Sequence, residues 1–156
     1  MSNADIIREH YAANDRGDLD GMLAPFASDV RWTEAAGFPY AGTYIGPDAV
    51  AANVFARIQE DWDDYTVAID EVVDGGDTVI GIGTYSGTNT RTGRFFAARV
   101  AHVWRLAGGK VVAFEQFTDT EMVNRALRDP STGSGTQEGT SASGTQNGAT
   151  AAGTHA

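Results

Sequence analysis

The chain has 156 residues, a formal net charge of −10 and no cysteine. The length suits one domain that folds around its own core, and the lack of cysteine excludes disulfides and thiolate chemistry. The acidity disfavours nucleic acid and anionic membranes as partners, because their phosphates would repel the chain. No apolar run approaches the roughly 20 residues of a membrane span. The N-terminus, MSNADIIREH, lacks a basic region followed by an apolar one, so we expect a cytoplasmic protein.

The start of the chain carries helix signals. Ser2 and Asp5 match a capping box, and larger side chains then recur at helical spacing. Gly17 ends this predicted helix, and Asp18 is placed to cap a short second helix over 19–24.

A strand and a third helix are predicted next. Val30 and Trp32 alternate with polar residues, which is typical of a strand. Pro47 suits the first turn of a helix. Four apolar residues then recur on one helical face: Val50, Val54, Phe55 and Ile58.

The second half of the chain has the alternation of strands. Strand-like runs cover 63–73, 77–87, 94–106 and 110–118, and a short helix over 121–127 follows. The sequence DGGD between the first two runs is a hairpin signal. Helices followed by an antiparallel meander predict an α+β fold, in which a curved sheet wraps the helices into a cone with one open end. Such a cone would contain a small-molecule pocket.

The predicted domain ends at residue 130. Residues 131–156 contain no aromatic residue and no aliphatic residue larger than alanine, and two imperfect nonamers repeat there, SGTQEGTSA and SGTQNGATA. Such a segment cannot bury enough apolar area to offset its ordering entropy, so we expect a disordered low-complexity tail.

Glu34 is the first candidate for chemistry. It lies two residues beyond Trp32, so both side chains share a face if the strand continues, and the next four residues, AAGF, are uncharged. If that face borders a pocket, desolvation would raise the pKa of the carboxyl group toward neutrality, which suits a general acid or base. The alternative is a solvated acid at the end of a strand.

His102 and Asp119 are the second and third candidates. In RVAHVWRL, alternation places His102 between apolar neighbours on one face, which fits either a packed core histidine or a donor aimed at a ligand oxygen. Asp119 ends the last strand, where it can act as an acid or base or can cap the final helix. Alternation groups Phe117 with Asp119 and leaves open which parity of the last strand faces inward.

The sequence contains no cofactor motif. It has no GxSxG sequence, Walker loop or dinucleotide fingerprint, and its histidines at positions 10, 102 and 155 lack the spacing of a metal site. The glycines of GIGTYSG, 81–87, fall inside a strand pattern and are expected to permit curvature of the sheet. We therefore expect neither a metal nor an organic cofactor.

Three segments resemble the SnoaL-like and ketosteroid-isomerase-like members of the nuclear transport factor 2 (NTF2-like) superfamily: YAANDRGDLDGM, DVRWTEAAGFPYAGTYIGPDAVAANVF and AHVWRLAGGKVVAFEQFTDT. The resemblance covers roughly residues 4–128 and implies the NTF2-like cone. It is specific for the fold rather than for a reaction, because the superfamily contains isomerases, cyclases, epoxide hydrolases and binding modules.

The resemblance also implies roles for residues. Glu34 matches the proton-shuttling carboxylate of the steroid isomerases, although those enzymes have aspartate there. His102 falls on the protonated acid of their oxyanion hole, a change of donor that argues against steroid isomerisation itself. Asp119 lies near the acid/base aspartate of the polyketide cyclases. His10, with Tyr11 adjacent, falls at the place of the oxyanion-hole tyrosine.

The glycine-rich segment GFPYAGTYIGPDAV, 37–50, follows Glu34 directly. The resemblance favours Tyr40 and Tyr44 as a wall at the mouth of the pocket. The alternative is a structural crossover whose tyrosines fill space under the third helix.

We thus predict a cofactor-free enzyme whose Glu34 moves a proton on a hydrophobic carbonyl compound while His102 polarises the carbonyl group. The alternatives are a non-catalytic module for an apolar ligand or a partner chain, and a hydrolase or dehydratase in which Asp119 or Glu34 activates water. The resemblance implies a homodimer through the exposed face of the sheet. The predicted ligand-binding residues are Tyr11, Trp32, Tyr40, Tyr44, Phe55, Trp104 and Phe117.

Overall fold

A computed structural model of the chain describes residues 1–129. Its helices are α1 (Asn3–Asp15), α2 (Leu19–Leu23), α3 (Pro47–Val50), a π-helical turn (Ala51–Phe55), α4 (Ala56–Asp61) and α5 (Thr120–Leu127). Its strands are β1 (Phe26–Glu34), β2 (Gly42–Ile45), β3 (Trp62–Gly75), β4 (Thr78–Asn89), β5 (Phe95–Ala107) and β6 (Lys110–Thr118). The predicted tail, 131–156, lies outside the described residues.

The six strands form one curved, unclosed sheet in the order β2-β1-β6-β5-β4-β3. Strands β3 to β6 make the predicted antiparallel meander, whereas β1 pairs in parallel with β6. The predicted α+β architecture, with N-terminal helices against a curved sheet, is confirmed.

Local signals place the helix starts. The Ser2 hydroxyl accepts the N–H of Asp5, whose carboxylate accepts the N–H of Ser2, so the capping box is confirmed. The Asp18 side chain accepts the N–H of Gly21 and caps α2. Pro47 opens α3, which continues through the π-helical turn into α4.

Strand β2 was not predicted. It pairs with β1 in antiparallel register, with Tyr44 opposite Trp32 and Thr43 opposite Thr33. The chain then turns at Gly46, whose φ of 90° favours glycine, and enters α3. The glycine-rich segment, 37–50, therefore contains a turn, the edge strand β2, a second turn at Gly46 and helix α3.

Aromatic side chains make up much of the core on the inner face of the sheet. The rings of Trp32 and Phe114 stack with their centroids 3.7 Å apart, and Trp104 packs against both rings. A second cluster under α5 includes Tyr85, Phe96 and Val123.

Strand β6 turns one parity of its side chains inward. Phe114 and Gln116 are each only 2% exposed, whereas Glu115 is exposed and Phe117 is 51% exposed. This answers the question of parity that alternation left open, and it brings Gln116 to the inner face.

Candidate active site

A cavity of about 440 Å³ opens among the helices and the inner face of the sheet. Side chains from α1, α2, the π-helical turn, α4 and strands β1, β3, β4 and β5 line it. None of these described lining residues is a lysine or an arginine, and Glu34 is their single carboxylate. Much of the wall is aromatic or aliphatic: Trp32, Val54, Phe55, Ile58, Val67 and Trp104.

Glu34 is buried in this wall, with 4% of its surface exposed. The indole N–H of Trp32 donates to its Oε2 at 2.8 Å, and the amide of Gln116 donates to its Oε1 at 3.2 Å. Burial raises the pKa of the carboxyl group to about 7, although both hydrogen bonds act to lower the pKa. The carboxylate is therefore held by two neutral donors.

Gln116 connects Glu34 to the rest of the site. Its Oε1 accepts the backbone N–H of Ala35 at 3.0 Å, which fixes the orientation of the amide. Its Nε2 then donates both to Glu34 and to the hydroxyl of Tyr85, the latter at 3.1 Å. The parallel pairing of β1 with β6 puts these groups together.

His102 lies between two tyrosines. Its Nδ1 is 2.8 Å from the hydroxyl oxygen of Tyr11, and its Nε2 is 2.5 Å from that of Tyr85. Burial is the main cause that lowers the pKa of the imidazole to about 3, and His10 also lowers it, so the ring is neutral. Both ring nitrogens are hydrogen-bonded to tyrosine hydroxyls. His102 therefore does not itself aim an N–H at the cavity, which differs from the predicted role of polarising a carbonyl group.

Tyr11 reaches His102 because β4 has a glycine at that point. Gly81 pairs with His102 across β4 and β5, and a Cβ atom at Gly81 would overlap the Tyr11 hydroxyl. The indole N–H of Trp104 donates to this hydroxyl at 2.8 Å.

One hydroxyl hydrogen in the network of Tyr11, His102 and Tyr85 has no acceptor within the network. A neutral imidazole has one N–H, so His102 donates to one tyrosine and accepts from the other. The tyrosine that accepts from His102 also accepts a second N–H, from Trp104 on Tyr11 or from Gln116 on Tyr85. Its own O–H then has no acceptor within the network, and both tyrosines line the cavity.

His10 has a different role from Tyr11, the next residue in the chain. Its Nδ1 is 2.9 Å from the carbonyl oxygen of Met22, to which it donates. Burial lowers the pKa of His10 to about 4, so it too is neutral. Of the two adjacent residues at the position implied by the resemblance, Tyr11 is the one that joins the His102 network.

The cavity includes six of the predicted site residues and leaves out four. Those that line it are Glu34, His102, Tyr11, Trp32, Phe55 and Trp104. The residues outside it are Tyr40, Tyr44, Phe117 and Asp119.

Tyr40 and Tyr44 hold the crossover segment instead of lining the cavity. The Tyr40 hydroxyl donates to Asp61 at 2.6 Å, and the Tyr44 hydroxyl donates to the carbonyl oxygen of Tyr40 at 2.7 Å. Tyr40 lies in the turn before β2 and Tyr44 lies in β2, and both hydroxyls are used in these structural contacts, so the structural alternative describes the two residues better than the pocket wall.

Asp119 and Phe117 are on the outside. Asp119 is exposed, and its Oδ1 accepts the N–H of Met122 at 3.2 Å, which caps α5. Phe117 lies on the outer face of β6 and is exposed as well. The capping role is thus the one that the geometry supports for Asp119.

Tyr65, Tyr85 and Gln116 are not among the site residues predicted from the sequence. Tyr85 alternates with glycines in GIGTYSG, and Gln116 shares the parity of Phe114. These patterns are compatible with inward positions, but they do not show that the β3–β4 hairpin, which carries Tyr65 and Tyr85, and strand β6, which carries Gln116, face the same site.

Within residues 1–129, no group of three or more histidine, aspartate or glutamate side chains is arranged to hold a metal ion. No helix in that range is long and apolar enough to cross a membrane.

Residues 7–114 match the family model of the SnoaL-like domain. The chain belongs to this family. An NTF2-like protein from Burkholderia thailandensis has a crystal structure that is similar at 53% identity and a TM-score of 0.81, covering 82% of this chain and 98% of that one. A second NTF2-like protein, of unknown function, from Burkholderia pseudomallei is 35% identical with a TM-score of 0.74, covering 81% and 98%. An uncharacterised protein of Mycobacterium tuberculosis is 28% identical over 74% of this chain and 88% of its own length.

More distant structures share the fold alone. TerC, co-crystallised with polyporic acid, is 23% identical with a TM-score of 0.72. A protein with a ketosteroid-isomerase-like fold from Catenulispora acidiphila, in complex with trimethylamine, is 20% identical with a TM-score of 0.63.

Proposed function

We propose that the protein is an enzyme that performs general acid–base chemistry on a neutral, hydrophobic carbonyl compound, with Glu34 as the proton carrier. The observation that carries this proposal is a buried carboxyl group at a cavity wall, held by neutral donors and with a pKa of about 7. Both protonation states of such a group are populated near neutral pH, so it can take a proton from carbon and return it elsewhere.

The Tyr11–His102–Tyr85 network supplies the second group that this chemistry needs, a hydrogen-bond donor. Its unused hydroxyl hydrogen can be donated to the carbonyl oxygen of a substrate, where negative charge develops as Glu34 removes a proton. Burial raises the pKa of both tyrosines, so both remain neutral donors. A preorganised donor of this kind contributes about 10²–10³-fold to a rate.

The charges of the cavity favour a neutral substrate. With neutral histidines and no cation among the described lining residues, an anionic substrate would meet the carboxylate of Glu34 without any compensating charge. The aromatic and aliphatic walls favour an apolar body. The complexes of TerC and of the Catenulispora protein support the use of this fold to hold small molecules.

The test compares two carboxylates. Wild type, Glu34→Gln and Glu115→Gln are assayed on enones and cyclic ketones, because Glu115 lies on the exposed face of β6. We expect the Glu34 variant to lose about 10²–10⁴-fold in turnover and the Glu115 variant to retain it. The wild-type rate should rise with pH through about 7 if ionised Glu34 is the base. Equal turnover in wild type and Glu34→Gln would reject the role.

A non-catalytic ligand-binding module is the second candidate function. It is favoured by the density of the polar network, in which Glu34, Gln116 and His102 already have protein partners. A binding module returns its ligand chemically unchanged, and Glu34→Gln would then change affinity without changing any rate. For the water-activating alternative, Glu34 is the remaining carboxylate, because Asp119 lies outside the cavity.

We also propose that two copies of the chain pair through the outer face of the sheet. Ile82, Ala101 and Phe117 lie side by side across β4, β5 and β6 on that face, and Phe117 is 51% exposed. Light scattering coupled to size exclusion is expected to give the mass of a dimer. A monomer at micromolar concentration would contradict the pairing.

A further inference from the structure

Tyr65 presents a hydroxyl group that the protein itself does not use. The residue lies on β3 and lines the cavity. Its ring packs near Tyr85 and Phe96, with centroid distances of 5.6 and 6.2 Å. The hydroxyl has no hydrogen-bond partner among residues 1–129, yet no fully buried side-chain N or O atom in that range lacks one. The Tyr65 oxygen is therefore not sealed in the core and borders open space.

Packing alone does not explain a tyrosine at this position. The ring neighbours of Tyr65 are aromatic, and phenylalanine would make the same ring contacts. The other four tyrosines of the chain all use their hydroxyls in hydrogen bonds. Because the Tyr65 oxygen borders open space and no protein group among residues 1–129 competes for it, its hydroxyl is available to a molecule that enters the cavity.

The environment keeps this hydroxyl in its donor form. Burial raises the pKa of Tyr65 well above its ordinary value, and the nearby negative charge of Glu34 raises it further. Glu34 and Tyr65 thus act on the same cavity, the first as an acceptor or base and the second as a neutral donor.

We propose that Tyr65 is a specificity-determining residue whose hydroxyl donates a hydrogen bond to an oxygen atom of the ligand. The inference rests on the cavity being a ligand site, as in the proposed function, but it does not require Glu34 to be catalytic. It selects ligands that carry an acceptor oxygen over hydrocarbons of the same shape.

The experiment pairs two probes with two variants. The probes are 2-acetylnaphthalene and 2-isopropenylnaphthalene, which differ in C=O against C=CH₂. Equilibrium dialysis measures both affinities for wild type, Tyr65→Phe and Tyr44→Phe. We expect Tyr65→Phe to reduce the preference for the ketone by about 2- to 12-fold, the equivalent of one neutral hydrogen bond. Tyr44→Phe should leave the preference unchanged, because the Tyr44 hydroxyl is bonded to the Tyr40 carbonyl outside the cavity.

A second measurement tests whether the hydroxyl is structural. Without ligand, Tyr65→Phe should keep or raise the urea midpoint, since no hydrogen bond is lost, whereas Tyr44→Phe should lower it. Any one of three results would overturn the inference. The ketone preference could be unchanged in Tyr65→Phe, or the wild type could fail to bind the ketone up to its solubility. The urea midpoint of Tyr65→Phe could also fall as far as that of Tyr44→Phe. Turnover of Glu34→Gln is a separate readout, so a negative result for Tyr65 leaves the proposed role of Glu34 standing.

Discussion

The hydroxyl oxygen of Tyr11 and the Nδ1 atom of His102 lie 2.8 Å apart, although 91 positions separate the two residues in the chain. This hydrogen bond joins α1 to β5 at the wall of the cavity. The same atoms therefore hold the first helix against the sheet and orient the polar groups of the candidate site. Packing and chemistry are coupled here, because a change that moves Tyr11 also changes which hydrogen is free for a ligand.

Gly81→Ala should break this contact. The added methyl group would overlap the Tyr11 hydroxyl, so the ring must move away from His102. We expect a loss of about 1–3 kcal/mol in the free energy of unfolding, the usual cost of overpacking. Urea denaturation measures the loss. Gly87→Ala is the matched control in the same strand, because its methyl group would meet the Tyr65 ring at 3.3 Å and needs only a small shift. Equal losses in the two variants would contradict the role of Gly81.

The stability of the protein should depend on Glu34 in a pH window between about 4.5 and about 7. Burial raises the pKa of this group in the folded protein from 4.5 to about 7, so the unfolded chain ionises first as pH rises. The contribution of Glu34 is therefore most favourable below 4.5 and is lost as pH rises through 7. The full change is about 3 kcal/mol at 1.36 kcal/mol per pKa unit.

Glu34→Gln isolates this effect. The amide does not ionise, but its NH₂ group would face the donors of Trp32 or Gln116, which adds a cost that does not vary with pH. We expect the difference in unfolding free energy, variant minus wild type, to increase by about 3 kcal/mol between pH 4.5 and pH 8. Contributions from the buried histidines cancel in this difference. A flat difference across the window would show that the carboxyl group is not desolvated.

Both buried histidines should remain neutral well below their ordinary titration range. Burial lowers the pKa of His102 to about 3 and that of His10 to about 4. The unfolded chain protonates first as pH falls, so their contribution to stability is present above about 6.5 and is lost progressively below it. Side-chain ¹⁵N chemical shifts should show two imidazoles that do not titrate between pH 8 and pH 5. Protonation of His102 near pH 6.5 would invalidate the proton count in the tyrosine network.

Most of the fold follows from short-range signals. The capping box at Ser2, the proline that opens α3 and the DGGD hairpin each act over a few residues, and the structure has an element at each of them. The common face of Trp32 and Glu34 also follows from strand alternation, and both residues are buried.

The candidate site was harder to predict from the sequence than the fold, because its contacts join residues that are far apart in the chain. Gln116 meets Glu34 over 82 positions through the parallel pairing of β1 with β6, which no local pattern indicates. Tyr40 and Tyr44 show the opposite case, since the family resemblance favoured them as a wall of the pocket and they do not line the cavity. The turn that holds Tyr40 and the unpredicted strand β2 that holds Tyr44 instead direct the two hydroxyls to structural partners.

Asp119 provides a test that separates capping from catalysis. Its carboxylate accepts the N–H of Met122 at the start of α5, and asparagine caps a helix about as well as aspartate. Asp119→Ala should therefore lose about 1 kcal/mol of unfolding free energy, while Asp119→Asn should lose little. Both variants should retain wild-type turnover on any substrate that depends on Glu34. An acid/base role predicts the reverse pattern, in which Asp119→Asn folds normally but loses activity, because an amide can neither accept nor release a proton near neutral pH.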